Sequence, residues 1–353
     1  MEKEIKTNFE LFENIRSLLV SARQNVLRQV NTAITKTYFE IGRLIVEDEQ
    51  KGKERAEYGD YTLEEVSSKL TIEFGKGFSV ESLQRMRLFY KTYSISSTVL
   101  TKLSDNQIDS GQSVKSSIRQ TVSAEFKLSW SHYIFLMRLD EPERNFYEIE
   151  AINDNWSLRE LKRQFDSGLY ERLTLGGDKT KILELSQRGQ IIEKPQDLIK
   201  DPYILEFLGL EEYSKYSETD LEQALINNIE SFLLELGKGF TFVKRQERIT
   251  FDDQHFFIDL VFYNRILKCF IVIDLKIGEL KHQDLGQLQM YVNYFDRVVK
   301  EADENPTVGI IICASKNDAV VEMTLPKGNN QLFASKYKLY LPSKEEIRKR
   351  IIE

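Results

Sequence analysis

The sequence predicts two domains of different class: an all-α domain over residues 1–170 and an α/β domain over residues 203–353. Two observations support this division. Up to residue 165 the apolar residues recur at helical spacing, whereas after residue 203 short apolar runs of strand length alternate with helical segments. Residues 171–202 consist of short apolar pieces broken by Gly and Pro, so they are predicted to connect the two domains.

The composition is that of a soluble globular protein. With 353 residues, of which 41% are hydrophobic and 30% charged, the chain can bury a sizeable core. No stretch approaches the roughly 20 apolar residues of a membrane span, and the first segment, MEKEIKTNFELFENI, is too acidic for a targeting signal. Cys269 and Cys313 lie inside apolar runs, where a free thiol behaves as a small hydrophobe. We therefore expect a protein of the reducing cytoplasm that does not associate with membranes.

The N-terminal domain is predicted to contain successive helices. After the periodic residues of the first segment, helices are expected at 63–74, 79–92, 129–139 and 157–165. Residues 94–123 are rich in Ser and Thr and poor in large apolar side chains, which predicts a surface insertion. Core packing is the expected role of three residues at helical spacing among apolar neighbours: Trp130, His132 and Trp156.

Part of the N-terminal domain resembles a helix-turn-helix. Gly77 and Phe78 would form the turn and Ser79 the N-cap of the second helix. Basic side chains of that helix would then contact nucleic acid: Arg85, Arg87 and Lys91. The alternative is a solvated helix of a bundle. A second basic cluster, whose meaning stays open, comprises Arg159, Lys162 and Arg163. The net charge of −7 argues mildly against nucleic-acid binding, although a local basic face can coexist with an acidic total.

The C-terminal domain is predicted to follow the order α-β-β-β-α-β, a small mixed sheet flanked by helices. Gly237 is the expected end of the first helix, and Ser343 with Glu346 offers a capping box for a terminal helix. The elements are expected in this order: a helix at 221–236, strands at 240–243, 257–263 and 269–275, a helix at 284–299, and strands at 308–313 and 337–341.

Two carboxylates interrupt the second and third of these strands, at positions where apolar residues would pack better. A four-residue loop over residues 264–267 would place Asp259 opposite Val272, with Asp274 as its diagonal neighbour. Because side chains alternate along a strand, any even-length loop leaves both carboxylates on one face of the sheet.

Two like charges on a partly buried face repel each other and lose hydration, so positive charge is expected beside them. Lys276, two residues after Asp274, supplies one positive charge on the same face. A hard divalent cation is the natural second, and Mg²⁺ is suitable because it keeps waters and completes its shell with a phosphate substrate. Mn²⁺ is the expected substitute. The alternative is a structural ion pair between Lys276 and Asp259 or Asp274.

The helix after the strands carries a polar pair beside its apolar stripe. Gln287 and Tyr291 are four residues apart and share one helical face. The stripe that can pack on the sheet contains Leu285, Leu288, Val292, Phe295 and Val299. Gln287 and Tyr291 could therefore border the functional edge of the sheet, or they could belong to an ordinary polar helix surface.

Together these residues resemble the PD-(D/E)XK nuclease superfamily, whose fold is a restriction-endonuclease-like mixed sheet flanked by helices. The signature is carried by Ile258-Asp259, in which Ile replaces the usual Pro, by Asp274-Leu275-Lys276 and, as in some branches, by Gln287 and Tyr291. Many members add a Glu on the first helix; Glu222 and Glu230 are both candidates, and Glu222 is preferred.

Longer stretches resemble the bacterial YhcG-like family. In the helical domain they are RQVNTAI, AEYGD, GKGFSVESLQRMRLFY, LSWSHY and WSLRELKRQ. In the C-terminal domain they are LLELGKGFTFVKRQERI and IDLVFYNRILKCFIVIDLKIGEL. The resemblance implies a cytoplasmic PD-(D/E)XK protein and leaves the substrate undefined.

Our first hypothesis is therefore a Mg²⁺-dependent endonuclease that acts on DNA. Asp259 and Asp274 would bind the ion, with the Leu275 carbonyl and, indirectly, Glu222. Lys276 would orient the attacking water or stabilise charge on the phosphate. Gln287 and Tyr291 would steady Lys276 or the nucleic-acid backbone. Members that cut both strands commonly work as pairs, so a homodimer is an open expectation. The alternative function is a nucleic-acid-binding or assembly subunit of a DNA-processing complex, without cleavage activity of its own.

Overall fold

The computed structural model describes residues 2–51, 58–104, 126–174, 179–210, 216–343 and 346, in two compact units, Met1–Leu158 and Arg159–Glu353. The division falls before the predicted connector at 171–202. The short helices after residue 158 belong to the second unit because Arg163 and Arg172 form buried ion pairs with Glu235 there. Apolar spacing predicts such helices but does not reveal the unit on which they pack.

Helices form the described part of the first unit: α1 (Glu2–Lys51), α2 (Tyr58–Phe74), α3 (Val80–Ser104), α4 (Trp130–Leu136) and α5 (Glu141–Asn153). Helices α1 and α3 pack closely, since a Cβ added at Gly42 would lie 2.0 Å from the Met86 carbonyl oxygen. Residues 94–104 of the predicted insertion continue α3. Its remaining residues, 105–123, lie outside the described residues.

The second unit begins with α6 (Leu158–Asp166), α7 (Leu169–Thr174) and α8 (Lys179–Arg188). The helix predicted at 221–236 is two helices, α9 (Glu218–Asn227) and α10 (Ile229–Leu236). They meet at Asn228, which leaves helical geometry (φ −118°, ψ 33°) and donates its side-chain amide to the Ala224 carbonyl at 3.0 Å. This local hydrogen bond offers the backbone an alternative to a continuous helix.

In the described part of the chain, six strands form one mixed sheet: β1 (Tyr203–Ile204), β2 (Phe240–Phe251), β3 (Gln254–Asn264), β4 (Cys269–Glu279), β5 (Val308–Ser315) and β6 (Leu332–Lys338). Their order is β1-β6-β5-β4-β3-β2. β2, β3 and β4 form an antiparallel meander, whereas the pairs β4–β5, β5–β6 and β1–β6 are parallel. The last strand begins before the predicted 337–341, and β1, with two residues, is too short to show a periodic pattern.

The β3–β4 hairpin turns one residue later than predicted. The side-chain oxygen of Asn264 accepts hydrogen bonds from the amides of Ile266 at 3.0 Å and Leu267 at 3.1 Å, so the loop comprises residues 265–268. Leu260 then pairs with Ile273. The next position in this register places Asp259 across from Asp274 rather than from Val272. The loop still has an even length, so both carboxylates stay on one face.

Both faces of the central strands are covered, as expected for strands that read as almost continuous apolar runs. Leu221, Leu225 and Phe232, from α9 and α10, belong to one buried cluster with alternate residues of β3, β4 and β5. On the opposite side lies α11 (His282–Tyr294), which continues as a π turn through Phe295–Val299. A Cβ at Gly309 of β5 would lie 2.8 Å from Leu288 and Val292, so α11 rests directly on the β5 backbone.

The chain continues with α12 (Asp318–Thr324), which was not predicted, between β5 and β6. After β6, the Ser343 amide donates to Glu346 at 2.8 Å and the Glu346 amide donates to Ser343 Oγ at 3.2 Å. These are the two hydrogen bonds of the expected capping box; the helix that would follow lies outside the described residues. Within the described ranges, no helix is both long enough and apolar enough to cross a membrane.

Candidate active site

Adjacent strands bring two aspartates and one lysine together at the end of the β3–β4 hairpin. One carboxylate oxygen of Asp259 accepts a hydrogen bond from the Leu275 amide at 2.8 Å. On β4, the Lys276 ammonium lies 2.8 Å from Asp274 Oδ2 and 3.7 Å from Glu218 on α9. Asp274 is only 2% exposed. The sequence prediction that these three side chains share one face is thus realised.

The charges of this cluster depend strongly on one another. Burial, and then the neighbouring charge of Asp274, raises the pKa of Asp259 to about 7. Burial also raises the pKa of Asp274, against the attraction of Lys276. For Lys276 burial lowers the pKa, but Asp274, Glu218 and Asp259 together outweigh it and raise the pKa above its ordinary value. Lys276 is therefore a cation at neutral pH, and the site holds more acidic charge than one ammonium balances.

Glu222 of α9 reaches the same cluster through Gln246 of β2. The Gln246 amide donates to Glu222 and, at 3.3 Å, to Asp259. The other Glu222 oxygen, Oε1, is buried without a hydrogen-bond partner and has the Arg245 guanidinium 3.6 Å away. By contrast, Glu230 is exposed on α10. Of the two candidate glutamates, Glu222 is the one that the structure joins to the aspartates.

Sequence reasoning missed Gln246, and the backbone explains its position. A bulge between Phe242 and Lys244 shifts the β2–β3 register, so that Gln246 lies across from Asp259 between two regular pairs. Its φ of 48° lies in the left-handed region, which a residue other than Gly, Asn or Asp rarely adopts. Strained backbone of this kind often marks functional sites. The bulge is not visible in the sequence, where KRQER is merely a polar stretch of a strand.

Gln287 and Tyr291, the polar pair of α11, hold the backbone of β3 next to the site. Gln287 donates a hydrogen bond to the Tyr291 hydroxyl, which in turn donates to the Phe257 carbonyl at 2.9 Å. Tyr291 is fully buried. Burial raises the pKa of Tyr291, and the charges of Asp274, Asp259 and Lys276 also act on it. The pair thus holds β3 two residues before Asp259, and these hydrogen bonds do not involve Lys276.

The donor set is suited to a hydrated hard cation. Within the described ranges no three His, Cys, Asp or Glu side chains form a metal site by themselves. Two facing aspartates with excess negative charge, and a buried glutamate oxygen without a hydrogen bond, are oxygen ligands of the type that Mg²⁺ binds while it keeps several waters. The residues present therefore suit an ion that keeps several waters better than an ion whose ligands all come from the protein.

The predicted basic residues of the first unit are engaged with carboxylates. Arg85 pairs with Glu81, and Glu49 lies 2.7 Å from Arg87 and 3.8 Å from Lys91. Ser79 caps α3 by accepting the Ser82 amide at 3.3 Å, as expected.

Arg163, from the second basic cluster, forms ion pairs within the second unit. It lies 3.0 Å from Glu206 and 2.8 Å from Glu235, and it also donates to the Ile204 carbonyl.

A D-x-K strand beside an aspartate-bearing strand, in a mixed sheet with helices on both faces, defines a PD-(D/E)XK nuclease domain of restriction-endonuclease-like fold. Residues 196–351 match the family model described as the YhcG PDDEXK nuclease domain, and residues 14–172 match the DUF1016 N-terminal domain. A protein of Escherichia coli (strain K12) named putative nuclease YhcG is 39% identical over 351 residues, which is 97% of this chain and 93% of that protein. The chain belongs to the YhcG family.

Solved structures show more distant likeness. A repair endonuclease from Pyrococcus abyssi matches with a TM-score of 0.25 and 19% identity, over 36% of this chain and 50% of that one. A chain of the EndoMS–dsDNA2 complex matches with a TM-score of 0.25 and 17% identity, over 38% of this chain and 51% of that one. The chain thus spans about half the length of each of these solved proteins.

Proposed function

We propose that the chain is a cytoplasmic, Mg²⁺-dependent endonuclease that hydrolyses phosphodiester bonds in DNA. The observation that carries the proposal is the convergence of Asp259, Asp274 and Lys276 at one end of the hairpin, with a 2.8 Å ion pair and a carboxyl whose pKa is raised to about 7. A purely structural ion pair would need one acid for one lysine. The nuclease domain that the family model describes supports the same reaction class.

Asp259 and Asp274 would hold the metal ion, together with the Leu275 carbonyl. Bound there, Mg²⁺ would polarise the scissile phosphate and lower the pKa of an attacking water. Mn²⁺ would substitute, because it accepts the same oxygen ligands. Glu222 would act indirectly, since Gln246 joins it to Asp259.

Lys276 would act as a cation on the substrate. Its raised pKa keeps the side chain protonated, so it can stabilise charge on the phosphate or orient the attacking water, but it is not a general base in this state. Tyr291 and Gln287 would support the site by fixing the β3 backbone at Phe257. We expect each of these roles to affect the turnover rate more than the stability of the fold.

The test is incubation of the full chain with duplex DNA, single-stranded DNA, branched DNA and RNA, each with Mg²⁺, Mn²⁺ or a chelator. Wild type is compared with Asp274→Ala, Lys276→Ala and the control Lys281→Ala, an exposed lysine five residues further on. We expect metal-dependent DNA cleavage that falls at least ~100-fold in the first two variants, the range for loss of one charge-stabilising group. Equal cleavage by wild type and both site variants would exclude this assignment.

The other candidate, a nucleic-acid-binding or assembly subunit, predicts a different result. DNA would bind without metal, and no nucleic acid of the panel would be nicked when metal is present. The homodimer also stays a prediction, and light scattering of the full chain at micromolar concentration distinguishes one copy from two.

A further inference from the structure

Residues 248–257, the outer part of the β2–β3 hairpin, have one covered face and one open face. On the covered face Ile249 is 1% exposed, and Phe256 packs against the buried cluster that includes residues of α11. Phe251 lies on the same face, with its ring centroid 5.9 Å from that of Tyr294 in α11. These contacts hold the hairpin against α11.

The open face is formed by Arg248, Thr250, His255 and Phe257, all of them exposed. Arg248 Nη2 donates to His255 Nε2 at 3.0 Å, and Thr250 Oγ1 lies 3.0 Å from His255 Nδ1. Phe257 pairs directly across from Arg248 and is 49% exposed. Proteins bind single-stranded nucleic acids with this combination of exposed cationic and aromatic side chains.

The open face leads to the candidate active site. Ile258 and Phe256 point towards α11. Phe257 and Asp259 alternate with them along β3, so their side chains point away from α11. The Cα atoms of these two residues lie about 7 Å apart, because a strand rises about 3.3 Å per residue. The Tyr291 hydroxyl donates to the Phe257 carbonyl at 2.9 Å, which fixes the backbone that carries the exposed ring.

Arg248 differs from its cationic neighbours on β2 in its partner. Lys244 forms an ion pair with Glu247, and the Arg245 guanidinium lies 3.6 Å from Glu222. Arg248 donates to an imidazole instead, and among the described residues no carboxylate lies within 4 Å of its guanidinium. The charge of Arg248 is therefore open to a phosphate.

We propose that the open face binds an unpaired stretch of nucleic acid, with one base stacked on Phe257 and a phosphate beside Arg248. The choice of nucleic acid as the ligand rests on the proposed nuclease function. Within a continuous duplex each base is stacked on its neighbours, so a side chain finds no free base to stack on. Stacking on an aromatic ring tolerates any base. The open face would thus select single-stranded or branched substrates without reading their sequence.

The experiment measures binding of fluorescent oligonucleotides to the full chain in the presence of a chelator. The ligands are a 20-nucleotide DNA strand, the RNA strand of the same sequence and the 20-base-pair DNA duplex. Phe257→Ala removes the ring, Phe257→Leu keeps an apolar side chain, and Phe257→Tyr keeps the ring. The control is Phe251→Ala, on the covered face of the same hairpin and 41% exposed. Circular dichroism checks that each variant is folded.

We expect Phe257→Ala and Phe257→Leu to raise the Kd of the single strands at least ~5-fold, the lower end of the effect of losing one stacked base. The Kd of the duplex should rise less than ~2-fold. Phe257→Tyr and Phe251→Ala should bind like wild type. Weaker binding of either single strand supports the proposal, because DNA and RNA bases both stack. Unchanged binding, equal weakening for strand and duplex, or equal weakening by Phe251→Ala overturns it.

Arg248→Gln tests the phosphate contact, with Arg265→Gln as the control that removes the same charge from an exposed position in the β3–β4 turn. Loss of one phosphate contact should lower the slope of log Kd against log salt concentration by about 0.7 for a single strand. The control should leave the slope unchanged. Equal slopes in the two variants would overturn the role of Arg248.

The outcome is separable from that of the proposed function. Single-strand binding that depends on Phe257, in a chain whose wild type cuts nothing in the Mg²⁺ panel, supports the open face and excludes the nuclease assignment. Metal-dependent cleavage by a chain whose binding does not depend on Phe257 has the opposite meaning.

Discussion

Replacement of Asp259 by Asn should stabilise the metal-free protein at alkaline pH. The pKa of Asp259 is about 7 instead of the ordinary 3.8, because the carboxyl is buried beside Asp274. One pKa unit corresponds to about 1.4 kcal/mol, so the ionised side chain costs the folded state up to about 4 kcal/mol at pH 8. Asn keeps an acceptor for the Leu275 amide but weakens the attraction on Lys276. We expect a net gain of about 2 to 4 kcal/mol.

The gain should depend on pH with a defined sign. Between pH 3.8 and about 7 the folded state binds this proton more tightly than the unfolded state does, so wild-type stability falls as pH rises through that window. The Asn variant lacks this dependence. Its advantage over wild type should therefore shrink by more than half between pH 8 and pH 5, and Mg²⁺ at pH 8 should stabilise the wild type only.

The assay is urea unfolding followed by far-UV circular dichroism and tryptophan fluorescence. Both tryptophans, Trp130 and Trp156, lie in the first unit, so their fluorescence should not respond to the substitution. The control is Asp253→Asn, at an exposed position in the β2–β3 turn. An advantage that is absent at pH 8, or that is the same at pH 5, would show that charge repulsion at Asp259 is not the cause.

Three further substitutions, two of them with a control variant, test packing and positioning in the second unit. Gln246→Ala should lower kcat at least ~10-fold, because Gln246 positions Glu222 and Asp259 through hydrogen bonds. KM and the stability in urea should change little. An unchanged kcat would show that the link between Glu222 and Asp259 is dispensable. Glu235→Gln leaves the fully buried Arg172 without its 2.5 Å counter-charge, and should cost about 3 to 5 kcal/mol at pH 7. Because the pKa of Glu235 is lowered to about 2, the stability difference between wild type and Glu235→Gln should vanish as pH falls from 4.5 through 2. The control Glu206→Gln affects a partly exposed ion pair and should cost less. Gly309→Ala should destabilise the protein by about 1 to 3 kcal/mol, because its Cβ would meet Leu288 and Val292. Gly286→Ala in α11, with open space around it, should stabilise the protein by about 0.5 to 1 kcal/mol. Thermal unfolding measures both effects.

The sequence predicts the meander and its charges well because both depend on alternation along a strand. Asp259 and Asp274 needed only strand periodicity and an even loop to share a face, and a one-residue error in the turn left that result intact. Local signals such as the Ser79 cap and the capping box at Ser343 were also readable.

Features that depend on backbone irregularity were not readable. Gln246 lies in the site because of a bulge and a left-handed φ, and no residue in the segment KRQER predicts either feature. The break at Asn228 depends on one side-chain hydrogen bond within an otherwise helical pattern. The placement of α6 and α7 with the sheet depends on ion pairs between residues up to 72 positions apart, such as Arg163 with Glu235. Periodicity carries no information at that range.

The paired arginines around Glu235 set a lower limit on any autonomous nuclease fragment. A piece that starts at residue 196, where the family match begins, would keep Glu235 in the interior and discard both arginines that form ion pairs with it, Arg163 and Arg172. Such a fragment should aggregate or unfold, and this failure would say nothing about its chemistry. Expression of the nuclease domain should therefore begin before Arg159.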